Sequence, residues 1–133
     1  MSKYFSHETA IIDANSSIGE GTKIWHFSHI MTNCIIGKNC NIASTAIIGK
    51  NAIIGDNCII NSHALIEHDV VVEDHCHIAT SAIINGGSTV GKSSFVGSGT
   101  IIRESITIGQ QCSIGMGVSV RHDLPPNSQF AGE

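Results

Sequence analysis

The chain has 133 residues, a length that fits one domain with a core of its own. Seven Lys and Arg against eleven Asp and Glu leave a formal net charge of -4, with only 14% charged residues, and there is no basic cluster; nucleic acid and anionic membrane are therefore poor partners. No run approaches the roughly 18 apolar residues of a membrane span, and the opening Met1-Ser2-Lys3-Tyr4-Phe5 lacks the apolar region of a signal peptide.

In chain order, residues 1–15 are expected to cap one end, 16–125 to form the body and 126–133 a short tail, all within a single domain spanning 1–133. The body is set by a repeat. Stepping by six from Ile12 through Ile66 to Val120 meets nineteen positions, all Ile or Val. Neither the 3.6-residue period of a helix nor a simple alternating strand predicts a large aliphatic at every sixth position for over a hundred residues. A coil of short strands does, so the fold class is all-β. The next residue is often glycine, as at Gly19, Gly37, Gly49, Gly91 and Gly97, which suits a bend between flat faces. The fourth residue after each aliphatic is small or aliphatic, and all five cysteines fall there. They read as interior spacers, not nucleophiles. With no C-x-x-C pair they suggest neither a disulfide framework nor a zinc knuckle, and reduced thiols fit a cytoplasmic protein. Leu124-Pro125-Pro126 is expected to stop the ladder, because proline cannot donate to it.

This pattern resembles the hexapeptide repeat of left-handed parallel β-helix proteins. The resemblance implies eighteen residues per triangular coil, so that Ile18 to Pro125 supplies about six coils, in a prism roughly 30 Å long at the usual strand spacing. Residues eighteen apart then stack. His68 lies under Gly86, Glu67 under Asn85, and Ser98 under Met116. His77 falls nine residues after His68, half a coil away, which points to a groove shared with a neighbouring prism.

The segment Asn61-x-x-Ala64-x-Ile66-x-His68-Asp69, with His77-Ile78, Ala82-x-x-x-Gly86 and Val90-Gly91-x-x-Ser94-Phe95-Val96-Gly97, resembles the sugar O- and N-acetyltransferases of the sialic-acid and bacillosamine pathways. Gly21-Thr22-x-Ile24-Trp25-His26-Phe27-x-His29-Ile30 is similar to N-acyltransferases acting on dTDP-linked amino sugars. The resemblance implies a homotrimer that transfers an acetyl group from acetyl-CoA to a nucleotide-linked sugar in surface polysaccharide or glycan synthesis. It implies a short form, since the first branch usually carries an N-terminal α/β subdomain for the nucleotide sugar and here the hexads start by Ile12. The family also usually continues through a Gly-x-Pro-Ala-Lys stretch beyond the point where this sequence ends.

By the same resemblance, His68 is the base that deprotonates the attacking amine or hydroxyl, work that suits an imidazole near neutral pH. Asp69 orients it, and the backbone N–H of Gly86 meets the thioester oxygen. His77 lies near the acetyl group and Asn61 on the acceptor side. Column stacking adds a lane of small or unbranched residues for the pantetheine arm, Ser98, Gly99, Met116 and Gly117.

Most of the eight histidines need no such role. His26, His29 and His63 occupy outward positions; His63, His75 and His77 lack a carboxylate at metal-ligand spacing, and no metal is expected. Gly97-Ser98-Gly99-Thr100 is not a phosphate loop, as no helix and no P-loop lysine follow. Two other readings stand beside the acyltransferase: a non-catalytic trimeric scaffold or sugar-binding relative, and a γ-type carbonic anhydrase with zinc histidines bridging two subunits.

Overall fold

A computed structural model describes residues 3–132; Met1 and Ser2 of the expected cap and Glu133 of the tail lie outside the described residues. The described residues wind through twenty-one two-residue strands, three to a turn, which makes seven turns of a left-handed parallel β-helix. Three flat sheets form the sides. The first is built from strands beginning at Phe5, Lys23, Asn41, Ile59, His77, Phe95, Ser113 and Gln129. The second begins its strands at Ile11, His29, Ile47, Leu65, Ile83, Ile101 and Ser119, and the third at Ser17, Ile35, Ile53, Val71, Thr89 and Thr107. Every pairing is parallel, and up to Val120 each pairs residues eighteen apart, as in Leu65 with Ile83 and Ile59 with His77.

The second residue of each strand points inward. From Ile24 to Val120 none of these aliphatics is more than 2% exposed, and each such burial contributes about 1.5–3 kcal/mol relative to exposure. The spacer position does more than fill space. Thr22 Oγ1 donates to the Gly37 carbonyl oxygen at 2.7 Å and accepts from the Cys40 N–H at 3.0 Å; Ser88 and Ser94 repeat both bonds one rung apart from their partners. The thiols donate to the same class of carbonyl, Cys34 to Gly49 and Cys40 to Gly55, each at 3.0 Å. Burial pushes the Cys34 thiol up, and a hydrogen bond with Cys58 does the same to Cys40. All five thiols are buried, which agrees with their reading as interior residues.

Between sheets the chain turns through two residues, the second in the left-handed region. Among the described residues fifteen non-glycine residues have positive φ, and six of them are Asn, a residue that tolerates this conformation. The glycines after the aliphatics serve a different need from the one their sequence position suggested. At Gly97 a β-carbon would fall 2.5 Å from the carbonyl carbon of Gly115; successive rungs have closed onto the glycine, and the permissive φ is required two residues later, at Gly99 (φ 68).

Three boundaries differ from the expectation. The N-terminal segment is no separate cap, since Phe5 pairs with Lys23 and Ile11 with His29, and it supplies the seventh turn beyond the six expected. The prolines do not end the ladder. Leu124 bridges Ile108, sixteen residues away instead of eighteen, which moves it out of the spacer series. Past Pro125-Pro126, Gln129 and Phe130 of the expected tail then pair with Ser113 and Ile114. Shortening the Arg121–Asp123 corner by two residues lets both prolines pass at a corner, where no ladder donor is required.

Candidate active site

His68 and Asp69 are the two central residues of the turn that carries the chain from the second sheet to the third. Asp69 has φ 61, and from that left-handed position its carboxylate turns back on the preceding ring, with Oδ2 at 3.0 Å from His68 Nδ1. That bond holds the Asp69 carboxyl below its ordinary range, with help from Asn51 one rung below. Nδ1–H donates to the carboxylate, leaving Nε2 as the lone-pair nitrogen. Both side chains are more than half exposed, and Nε2 has no hydrogen-bond partner among the described residues.

Gly86 lies one rung above, and the imidazole extends across it. A β-carbon there would sit 2.5 Å from Nε2 and 2.6 Å from Cε1, so only glycine lets the ring occupy this place. The Gly86 carbonyl is used, accepting from the Ser105 N–H at 2.9 Å. Its own N–H donates to no described residue. The site thus presents a base with a spare lone pair and, beside it, a spare backbone donor.

Asn61 and His77 also meet, but elsewhere. They flank the edge between the first and second sheets, with Asn61 Nδ2 at 3.5 Å from His77 Nε2. The His77 ring stands edge-on to Phe95 at a centroid distance of 5.2 Å. The expected lane follows this same edge two rungs higher. A β-carbon on Gly99 or Gly117 would touch nothing within 4 Å, and Met116 is 76% exposed, so the lane is open. Within one chain the structure therefore groups His68, Asp69 and Gly86 at one edge of the second sheet, and Asn61, His77, Ser98, Gly99, Met116 and Gly117 at the other.

Other histidines are held by local partners. His29 pairs with Asp13 at 2.9 Å, His63 bonds Thr45 on the next rung, and His75 bonds Asn57 at 3.0 Å. No group of three His, Cys, Asp or Glu side chains able to hold a metal occurs among the described residues, and no helix there is long and apolar enough to cross a membrane.

One feature was missed in the sequence. Arg103 and Arg121 stack at the same edge as Gly86, and both line a cavity of about 420 Å³ with Asn85, Ile101 and Ser119. A second cavity, of about 370 Å³, joins Arg121 to Gly117 across the end of the second sheet. Neither reaches His68. Counting eighteen residues on from Asn85 and again from Arg103 would have found the pair.

The profile described as the GMPPB C-terminal domain matches residues 30–124. The chain belongs to that family. Among solved structures, this family member is similar to PerB from Caulobacter crescentus in complex with CoA and GDP-perosamine, at 27% identity over 96% of this chain and 52% of that one, with a TM-score of 0.67. It shares its fold with the acetyltransferase domain of PglB from Neisseria gonorrhoeae in complex with acetyl coenzyme A, at 22% identity, 94% and 52% coverage and a TM-score of 0.70. LpxA from Acinetobacter baumannii has the same fold at 20% identity, 95% and 68% coverage and a TM-score of 0.63. The chain spans about half the length of the PglB and PerB structures. No curated protein matches it. These neighbours bear out the resemblance to hexapeptide-repeat sugar acetyltransferases and the left-handed β-helix.

Proposed function

We propose that this chain is an acetyl-CoA-dependent sugar acyltransferase, acting on the amino or hydroxyl group of a nucleotide-linked sugar in the cytoplasm, in the synthesis of a surface polysaccharide or glycan. The observation that carries the reading is the His68–Asp69 pair lying across Gly86, with Nε2 and the Gly86 N–H both uncommitted. In this mechanism the acceptor attacks the thioester carbonyl while Nε2 takes its proton. The carbonyl oxygen, now an oxyanion, is met by the Gly86 N–H. Collapse restores the carbonyl, breaks the carbon–sulfur bond and expels CoA thiolate, which recovers the proton from the imidazolium. Asp69 stabilises that cation through Nδ1–H. No acyl-enzyme is required, and the thiols, buried and hydrogen-bonded inside the prism, are not placed to form one.

The working unit in this reading is a homotrimer. His68 and His77 are nine residues apart, half a turn, so the base of one prism serves the Asn61–His77 edge of the next. The outer face of the second sheet supports this, since Ile47, Leu65, Ile83 and Ile101 form an apolar column on it. The Ser98–Gly117 lane takes the pantetheine arm, and Arg103 and Arg121 of the facing prism meet the donor's phosphates across the groove.

The test is an acceptor screen with acetyl-CoA against UDP-, dTDP- and GDP-linked amino sugars, read by thiol release, alongside calorimetric titration with CoA and sedimentation. Release with at least one acceptor from a CoA-binding trimer is expected. A chain that gives no heat with CoA is a scaffold, and the reading falls.

A further inference from the structure

The first two turns carry a feature that the acetyl-transfer chemistry leaves unused. At the edge between the first and second sheets the chain places Trp25, His26 and Phe27 in succession, with Phe5 and His7 beneath them. Phe27 is 67% exposed and has φ 56. A bulky aromatic in the left-handed region is a strained choice at a turn where this chain usually places Asn, Ser or Gly. Core packing does not explain it, because most of the ring faces water. The neighbouring rings are held in place. Trp25 Nε1–H donates to Asn41 Oδ1 at 2.8 Å, Phe5 packs against the indole at 5.3 Å, and His7 stacks on His26 at 3.7 Å. The Phe27 N–H is fixed by Thr9 Oγ1 at 2.9 Å.

This aromatic corner aligns with the acceptor side of the site. Trp25, Ala43 and Asn61 are successive residues of one column, so Trp25 lies two rungs, about 10 Å, below Asn61, and its indole already reaches one rung toward it to bond Asn41. The adjacent column runs Lys23, Asn41, Ile59, His77, which sets Lys23 three rungs, about 14 Å, from His77. Lys23 is exposed and forms no ion pair among the described residues. Lys23 stands on the same rung as the rings, beside Trp25, and the polar Asn61–His77 pair stands two and three rungs above, so the long lysine side chain can reach a diphosphate that runs from the rings toward that pair.

We propose that the Trp25-His26-Phe27 corner seats the base of a nucleoside diphosphate, with Lys23 taking the diphosphate. This rests on the reading above that the acceptor is nucleotide-linked, and adds that the prism's own first turns recognise the nucleotide. Stacking on ring faces tolerates any base, and losing one stacking partner weakens binding by about tenfold.

Trp25 is the one tryptophan of the chain, so its fluorescence reports the site directly. Titrating the full chain with dTDP, UDP and GDP is expected to give saturable quenching with at least one of them. Phe27→Asn is the deciding variant, because Asn suits the left-handed turn and removes the ring: nucleotide affinity should fall about tenfold or more while the melting temperature rises. Lys23→Ala should weaken the diphosphate more than the corresponding nucleoside. His68→Ala should bind nucleotide as the unaltered chain does. No saturable quenching by any of the three nucleotides overturns the proposal, as does unchanged affinity in Phe27→Asn, including the case where only the oligomeric state shifts. Quenching without acetyl transfer to any acceptor removes the catalytic reading and keeps the nucleotide seat; transfer without quenching does the reverse.

Discussion

Two corners of the prism are made by the same turn and use their acidic residues in opposite ways. Where the third sheet passes to the first, Asp74 Oδ1 accepts the Asp56 N–H at 2.7 Å, and Asp56 Oδ1 accepts the Lys38 N–H at 2.8 Å. The carboxylates there tie rung to rung and are consumed by the fold. Where the second sheet passes to the third, Asp69 bonds a side chain, His68, and that histidine keeps a nitrogen spare. Because the interior ladder alone carries the core, corner residues can be assigned either to holding rungs together or to chemistry. The first kind should matter for stability and the second for turnover.

The sharpest way to break that contrast is His68→Ala. If the corner between the second and third sheets is the reactive one, thiol release with a responding acceptor should fall about 10²- to 10⁴-fold. Unfolding should stay within about 0.5 kcal/mol of the parent, since the ring is exposed. Gly86→Ala should come next, at about 10²-fold, because the new methyl would occupy the place of the imidazole, and misplacing a reactive group by an ångström costs that much. Its KM for acetyl-CoA should move less than its kcat. Asp69→Asn keeps a residue that tolerates the turn and an oxygen that can accept from Nδ1–H, and removes the charge. Water screens a pair this exposed, so a loss of only about fivefold is expected. A loss as large as that of His68→Ala would mean that a neighbouring chain buries the pair.

The ladder was legible because a six-residue period in large aliphatics has few structural solutions, and the stacking of His68 under Gly86 followed from the eighteen-residue coil that the resemblance implies. What lay outside the ladder depended on things an apolar template does not register. The first turn escapes an aliphatic template because its ladder position is Ser6, a polar residue that nevertheless pairs in register with Ile24. The slip to sixteen residues at Leu124 is decided by the conformation of the Arg121–Asp123 corner, which a residue count takes as regular. Asp69 carried two signals at once. The resemblance made it the orienter of a base, yet its slot is one where the turn itself favours Asn, Asp or Gly, and a sequence does not show that its carboxylate lies 3.0 Å from His68 Nδ1. The Arg103–Arg121 pair needed the column count to be carried two rungs past Asn85.

The smallest effect tests the other half of the comparison. Asp74→Ala frees the Asp56 N–H to water and removes one link of the rung-to-rung relay, and a single such bond contributes about 0.5–1.5 kcal/mol. For a chain of this size that is a fall of roughly 4 °C in melting temperature, or a lowered denaturant midpoint with unchanged slope. Turnover per folded chain should not change, because Asp74 lies at the corner between the third and first sheets, away from the corner that holds His68 and Gly86. Should Asp74→Ala instead lower turnover at unchanged stability, the division between binding corners and reactive corners would fail, and the acidic relay would have to be counted as part of the site.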